Sequence, residues 1–245
     1  MHAAPPAELQ LDPAITNTTI NTTNVLVRRR AVMSADAVAA ANELLEGKTP
    51  TEIIEWASAQ FGSRLAMTAS FADTTLIDLA TKVDPDIEVI FLDTGFHFAE
   101  TLNTVRRAME RYELNLTVLR PDADAADLWA AGTEGCCEAR KIAPLEQYLP
   151  EHADGWLSGL RRADDPGRAN APIVSIDKRG LVKVNPMANM SDEEYDSYID
   201  DNDVLINTLQ LDGYASIGCW PCTEPAADRS GRWSGTGKTE CGLHL

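Results

Sequence analysis

The chain has 245 residues, 44% of them hydrophobic, a size and composition for one large globular domain with short appendages. Its net charge of −17, from 21 basic and 38 acidic residues, argues against nonspecific nucleic-acid binding and against an anionic membrane surface. A small anionic ligand in a local basic pocket stays compatible with that charge. No apolar run approaches the length of a membrane span, and the first residues lack the basic start and apolar core of a secretory signal, so a cytoplasmic location is expected. In a reducing compartment the five cysteines read as metal ligands, nucleophiles or plain buried side chains rather than disulfides.

Residues 1–32 mix Ala, Pro, Thr and Asn without periodicity and read as a disordered N-terminal tail. A domain over 33–222 and a mobile tail over 223–245 follow. Ser34 caps a helix that is expected to place Val38, Ala41, Leu44 and Leu45 on one face and to end at Gly47. Thr49-Pro50-Thr51-Glu52 is a capping box opening a second helix, with Ile53, Ile54, Ala57 and Phe61 inward. A strand over 65–68, a polar loop over 69–74 and a helix over 75–83 come next. A strand over 87–92 ends in Asp93-Thr94-Gly95, a helix runs over about 98–112, and a strand over 114–119 follows. Strands alternating with helices predict a doubly wound, mainly parallel α/β sheet. Ligands bind such sheets at the C-terminal ends of the strands, which points to the loops 70–74 and 93–97.

Loop 70–75 is hydroxyl-rich and enters a helix N-terminus, where free N–H groups favour an anion; capping alone accounts for it equally well. His97, between two phenylalanines, reads as packing. Further on, 155–159 reads as a strand and turn leading into Arg161, Arg162 and Arg168. These cations, with those after Cys137, form either an anion pocket or a solvated basic face. Two short strands over 173–176 and 181–184 flank Lys178-Arg179-Gly180 as a hairpin. Ser191-Asp192-Glu193-Glu194 opens an acidic helix.

Cys136 and Cys137 are adjacent, and Cys219 and Cys222 form a C-x2-C. Four thiolates can hold zinc or an iron–sulfur cluster, and spacing leaves both open, together with one pair being buried thiols only. Cys241 stands apart on a short polar, Gly-rich tail and reads as a nucleophile, with Gly231, Gly235, Gly237 and Gly242 giving the tail freedom.

The segments CCEARKIAPL, WLSGLRRADDPGRA, VKVNPMA, GYASIGCWPCT, DRSGRW and ECGLH, in this order, closely resemble the assimilatory adenylylsulfate (APS) reductases, the iron–sulfur branch of the PAPS/APS reductase family. ASFADTTLIDLA and VIFLDTGFHFAET resemble that family's nucleotide-binding segments. The likeness runs from about residue 34 to the C-terminus. It implies a sheet of the adenine-nucleotide α-hydrolase type and reduction of adenosine 5′-phosphosulfate to sulfite and AMP through a cysteine S-sulfonate, with thioredoxin as reductant. It further implies a 4Fe-4S cluster on Cys136, Cys137, Cys219 and Cys222, with Cys241 as nucleophile. Lys141 would stand between cluster and substrate. Arg161, Arg168, Arg229, Arg232 and His244 would meet the phosphosulfate, with Arg168 preferred over Arg161 and Arg162. Ser70, Leu92, Asp93 and Gly95 would hold the adenosine side. The loop Ser-Phe-Ala-Asp-Thr-Thr lacks the extra small and acidic residues common in the family, which leaves open which of Ser70, Asp73 and Thr74 touches ligand. A homo-oligomer is compatible with the sequence and not fixed by it.

A PAPS reductase shares the terminal thiol but lacks the four-cysteine set. A PP-loop ATP pyrophosphatase would carry SGGxDS where this chain has Ser70-Phe71-Ala72-Asp73. A zinc-stabilised binding module accounts for four cysteines but not for ECGLH or the arginines.

Overall fold

The structure is a computed structural model that describes residues 33–121, 132–236, 238, 240 and 242. Among these residues six strands form one sheet: β1 Leu65–Ala69, β2 Glu88–Leu92, β3 Asn115–Leu119, β4 Gly155–Leu157, β5 Val174–Ile176 and β6 Val182–Val184. Their spatial order is β3-β2-β1-β4-β6-β5. All neighbouring pairs are parallel except β5 with β6, the expected hairpin. The chain winds outward from β1 to β3 and then returns to lay β4 on the other side of β1. That reversal makes the β1/β4 boundary the switch point of the sheet, where the loops leave the strand ends in opposite directions and open a crevice.

Among the described residues seven α-helices surround the sheet: α1 Ala35–Leu45, α2 Pro50–Phe61, α3 Thr75–Val83, α4 Ala99–Tyr112, α5 Gly132–Cys137, α6 Ala143–His152 and α7 Asp192–Asp201. Strand residues alternate between two cores. Leu65, Met67, Val89 and Phe91 pack with α2, α3 and α4, whereas Ala66, Ile90, Leu92 and Trp156 pack with Leu145, Tyr148 and Leu149 of α6. Both faces are covered, as a parallel sheet requires. The capping boxes at Thr49 and Ser191 form as their sequences dictate.

One expectation fails in α1: Leu44 is 60% exposed, while Ala41 and Leu45 are buried. At roughly 100° per residue, Val38, Ala41 and Leu45 share a narrow stripe, and Leu44 falls outside it. The stretch 132–152, for which the sequence offers no clear period, is a nearly continuous helical run. Between α5 and α6 it widens into a π-helical turn, Glu138–Ile142. Such turns interrupt the regular ladder and recur at functional sites. Among the described residues no helix is long and apolar enough to cross a membrane.

Candidate functional site

Two adjoining pockets occupy the C-terminal side of the sheet. The larger, about 710 Å³, opens at the β1/β4 switch point. Its walls include Met67 to Ser70 from the end of β1, Ile90 to Leu92 from β2, and Gly159 to Arg161 after β4. The smaller pocket is lined by all four of Cys136, Cys137, Cys219 and Cys222, with Thr94, Phe96, Arg140, Lys141, Arg232 and Trp233. Lys141, Arg232 and Trp233 line both, so two cations stand in the partition between them.

Local rules explain how distant thiols meet. Cys136 and Cys137 end α5, immediately before the π-helical turn that carries Arg140 and Lys141. The C-x2-C loop is a short 3-10 turn over Trp220–Cys222 with Pro221 in its first positions. It is fastened to the loop after β2 by a bridge between His97 and Cys219, by Trp220 N–H donating to Phe96 O at 2.9 Å, and by the edge-on contact of Phe96 with Trp220. Thr94 Oγ1 lies 3.3 Å from Cys219 Sγ. Buried Arg140 braces the same loop: its Nη1 donates to Thr94 O at 2.8 Å and its guanidinium lies 4.4 Å from the Phe96 ring centroid.

Burial pushes the Cys136 thiol up, Cys219 adds to the shift, and Arg140 opposes it. Burial, with Cys219 and Cys137 beside it, pushes Cys222 up to about 11. Crowded thiols of this kind keep their protons until a cationic group takes their place. Among the described residues no three His, Cys, Asp or Glu side chains gather about a single-ion position. Consecutive helical residues such as Cys136 and Cys137 point roughly 100° apart, which works against a shared point ligand.

Loop 70–74 on the larger cavity is held rather than open. Phe71 sits at φ 56° and is fully buried, edge-on to Phe91 at 5.2 Å. A bulky residue in the left-handed region persists only where packing holds it there. Thr74 N–H donates to Leu205 O at 2.9 Å and Thr75 N–H to Asp73 Oδ1 at 2.8 Å. The amides of the N-cap Thr74 and of Thr75, the first residue of α3, are therefore already engaged, which narrows the expected anion role of this helix end. Ser70 is exposed and lines the cavity, as does Asp73. Thr74 is buried, with Tyr112 Oη at 3.2 Å.

The predicted site residues sort clearly. Ser70, Leu92, Lys141, Arg161, Arg168, Arg229 and Arg232 all line the larger cavity. Asp93 and Gly95 stand off its walls: Asp93 pairs with Arg120 at 3.2 Å and caps the turn at Gly95 N–H. Arg162 turns away, toward Glu46, Asn189 and Ala171 O. Arg161 is taken by Asp164 and Asp192, both at 2.9 Å, and lies over the Tyr195 ring. Cys241 and His244 lie outside the described residues. His97, read as packing, does stack on Phe91, and its Nε2 donates to Leu92 O at 2.8 Å. It also reaches the cavity wall, and burial holds it neutral by lowering its pKa. Asp164, Tyr195 and Gln210 line the cavity as well and were not singled out by sequence. An aromatic residue inside the otherwise acidic α7 was the available signal for Tyr195.

Residues 64–225 match the phosphoadenosine phosphosulfate reductase domain. The chain is 41% identical to an adenosine 5′-phosphosulfate reductase of Mycolicibacterium smegmatis, with 94% of this chain and 98% of that protein covered. An adenosine 5′-phosphosulfate reductase of Rhodococcus opacus is 43% identical, over 82% of this chain and 90% of its own length. Among solved structures, the phosphoadenylyl-sulfate (PAPS) reductase of Candida auris, in a phosphate complex, superposes with a TM-score of 0.69 at 26% identity, covering 78% of this chain and 98% of that one. An FMN adenylyltransferase of Candida glabrata shares the fold at a TM-score of 0.55 and 14% identity, covering 80% of this chain and 69% of its own.

Proposed function

We infer the activity from family and site together: the chain belongs to the phosphoadenosine phosphosulfate reductase family, among the adenosine 5′-phosphosulfate reductases. It is an oxidoreductase of sulfate assimilation that reduces adenosine 5′-phosphosulfate to sulfite and AMP. The observation that carries the site assignment is the shared wall. Four thiols line one pocket, a cavity of nucleotide size lies at the switch point, and Lys141 and Arg232 belong to both.

The substrate sulfur is S(VI) and sulfite is S(IV), so two electrons are required. The Cys241 thiolate attacks the sulfur, the S–O bond to AMP breaks, and a cysteine S-sulfonate and AMP result. A thiol of a dithiol protein of the thioredoxin type then attacks Cys241 Sγ. Sulfite leaves with the bonding pair and a mixed disulfide remains. The second thiol of the reductant resolves it, and the two electrons end as one disulfide in the partner. The adenosine end belongs at the β1 and β2 edges, beside Ser70 and Leu92. Asp93 and Gly95 shape the adjoining loop. The anionic end belongs to the wall of Lys141, Arg168, Arg229 and Arg232, with His244 of the same tail. Positive charge there screens an anionic substrate from an approaching thiolate.

The donor set of the smaller pocket fits a 4Fe-4S cluster: four sulfurs and, from the sequence reading, one more cysteine than the ligands need. An adjacent Cys136-Cys137 pair suits the separate iron corners of a cluster better than a single zinc ion, and Arg140, Lys141 and Arg232 would balance the net negative charge of a tetrathiolate cluster. The cluster would supply fixed charge and geometry beside the substrate's anionic end; the electron count closes on thiols alone.

Cys241→Ser separates these assignments. Turnover of adenosine 5′-phosphosulfate should fall below detection while the visible iron–sulfur absorbance of the anaerobically purified protein stays at the wild-type level. Loss of that absorbance would place Cys241 among the ligands instead.

A further inference from the structure

The arginines of the anionic wall are not idle. Glu240 Oε1 lies 2.6 Å from Arg168 Nε and Oε2 lies 2.9 Å from Arg168 Nη2, a two-point fork. Arg229 Nη2 donates to the same Oε2 at 3.3 Å. Each arginine sits on its own 3-10 turn, Pro166–Arg168 and Arg229–Gly231, capped by Asp165 and Asp228 respectively. Asp164 holds the remaining arm of Arg168 at 3.3 Å. The Arg168 side chain is only 10% exposed and that of Glu240 24%, so the bonds form where water competes weakly.

Glu240 is the residue before Cys241, and Lys238 and Gly242 meet anchors of their own. Lys238 Nζ lies 2.7 Å from Glu134 Oε2 at the start of α5, and over the Trp233 ring. Gly242 lies so close to the π-helical turn that a methyl on it would stand 2.5 Å from Ile142 Cδ1. Ile142 follows Lys141, the cation of the shared wall. Three alternate residues therefore meet three separate anchors, and neighbouring Cα atoms along a trans chain are about 3.8 Å apart.

We propose that Glu240 is a positioning residue: by bridging Arg168 and Arg229, its carboxylate fixes the residue that precedes Cys241 on the wall of the nucleotide cavity. This inference rests on the reductase reading and deepens it. Arg168 and Arg229 then act on the reaction through Glu240 as well as from their place on the anionic wall. A thiol held in register converts a bimolecular approach into a near-unimolecular one, so a slackened seat lowers the rate of attack rather than the affinity for the nucleotide. A carboxylate that instead merely occupied the anion site would compete with substrate, and removing it would tighten binding.

The test is single-turnover S-sulfonation of Cys241 in the holoenzyme, read by mass spectrometry of the C-terminal peptide, beside the affinity for AMP. Glu240→Gln keeps the size and removes the charge. Its rate at saturating adenosine 5′-phosphosulfate should fall about 10- to 100-fold, the scale of charge-assisted bonds lost, with AMP affinity within about twofold of wild type. An unchanged rate, tighter substrate binding, or an equal loss of AMP binding would each overturn the seat. A wild-type enzyme that forms no S-sulfonate on Cys241 overturns the reductase mechanism itself and the inference with it; one that forms it at the rate of Glu240→Gln overturns the inference alone.

Discussion

Lys183 of β6 is buried, and burial, reinforced by Arg168 and Arg179, pushes its ammonium down to about 8 from an ordinary 10.5. Asp177 and Glu240 pull the other way, and the Trp156 ring lies 5.4 Å from its Nζ. Between about pH 8 and about pH 10.5 the unfolded chain holds this proton and the folded one releases it, so this group's contribution to stability rises with pH across that window. Below it both states are charged and the fold carries the full cost of the buried ammonium. Wild-type stability relative to Lys183→Met should therefore rise by up to about 3 kcal/mol from about pH 7.5 to about pH 10.5, measured by urea unfolding. Taking the difference matters, because Tyr148, pushed up to about 12, and Cys222 shift stability in the opposite sense. A difference that stays flat would mean that Lys183 is as well solvated folded as unfolded. Residue roles were unevenly legible in the sequence. The cysteine pattern grouped Cys136, Cys137, Cys219 and Cys222, which do line one pocket, but Arg161, Arg162 and Arg168 look alike on paper. Only the fold shows that Arg162 turns toward Glu46 and that Arg161 is spent on Asp164 and Asp192.

Elements with a strong period or a chemical cap could be read directly: α2 and α7 begin where their capping boxes say, and the β5–β6 hairpin lies where predicted. The run from α5 through the π-helical turn to α6 could not. It contains Gly132, Gly135, Pro144 and Pro150, and its helicity comes from Leu145, Tyr148 and Leu149 packing on the sheet. The C-terminal glycines were misread in part. Gly231, expected to lend freedom, is a close-approach position, where a Cβ would stand 2.2 Å from the backbone oxygen of Glu224. Glu224 N–H donates to Gly231 O at 2.9 Å, Thr223 bridges Arg232, and Trp233 N–H donates to Cys222 O at 2.8 Å. Residues 223–233 are thus tied to the cysteine loop, although the sequence assigned them to the tail. Gly231→Ala should cost at least about 1–3 kcal/mol, as overpacking against a backbone atom does, and should weaken AMP binding because Arg229 and Arg232 flank it. Wild-type thermal stability and AMP affinity in that variant would show that the loop yields freely.

At the scale of the molecule, an acidic chain concentrates cations at the sheet's switch point, where Lys141, Arg161, Arg168, Arg229 and Arg232 line one cavity. Net charge argues against polyanionic partners but says nothing of this local inversion, which depends on strand order. The doubly wound class followed from the alternation of elements; the position of β4 beside β1, which creates the crevice, did not. Substrate and reaction are tested together by sulfite release from the anaerobically purified holoenzyme with thioredoxin and its reductase, on adenosine 5′-phosphosulfate and on its 3′-phosphorylated form side by side. Sulfite should form from adenosine 5′-phosphosulfate at a kcat/KM at least about 100-fold above that for the 3′-phosphorylated substrate, the discrimination that about 3 kcal/mol supplies. A preference for the 3′-phosphorylated substrate, or no sulfite from either, would contradict this assignment.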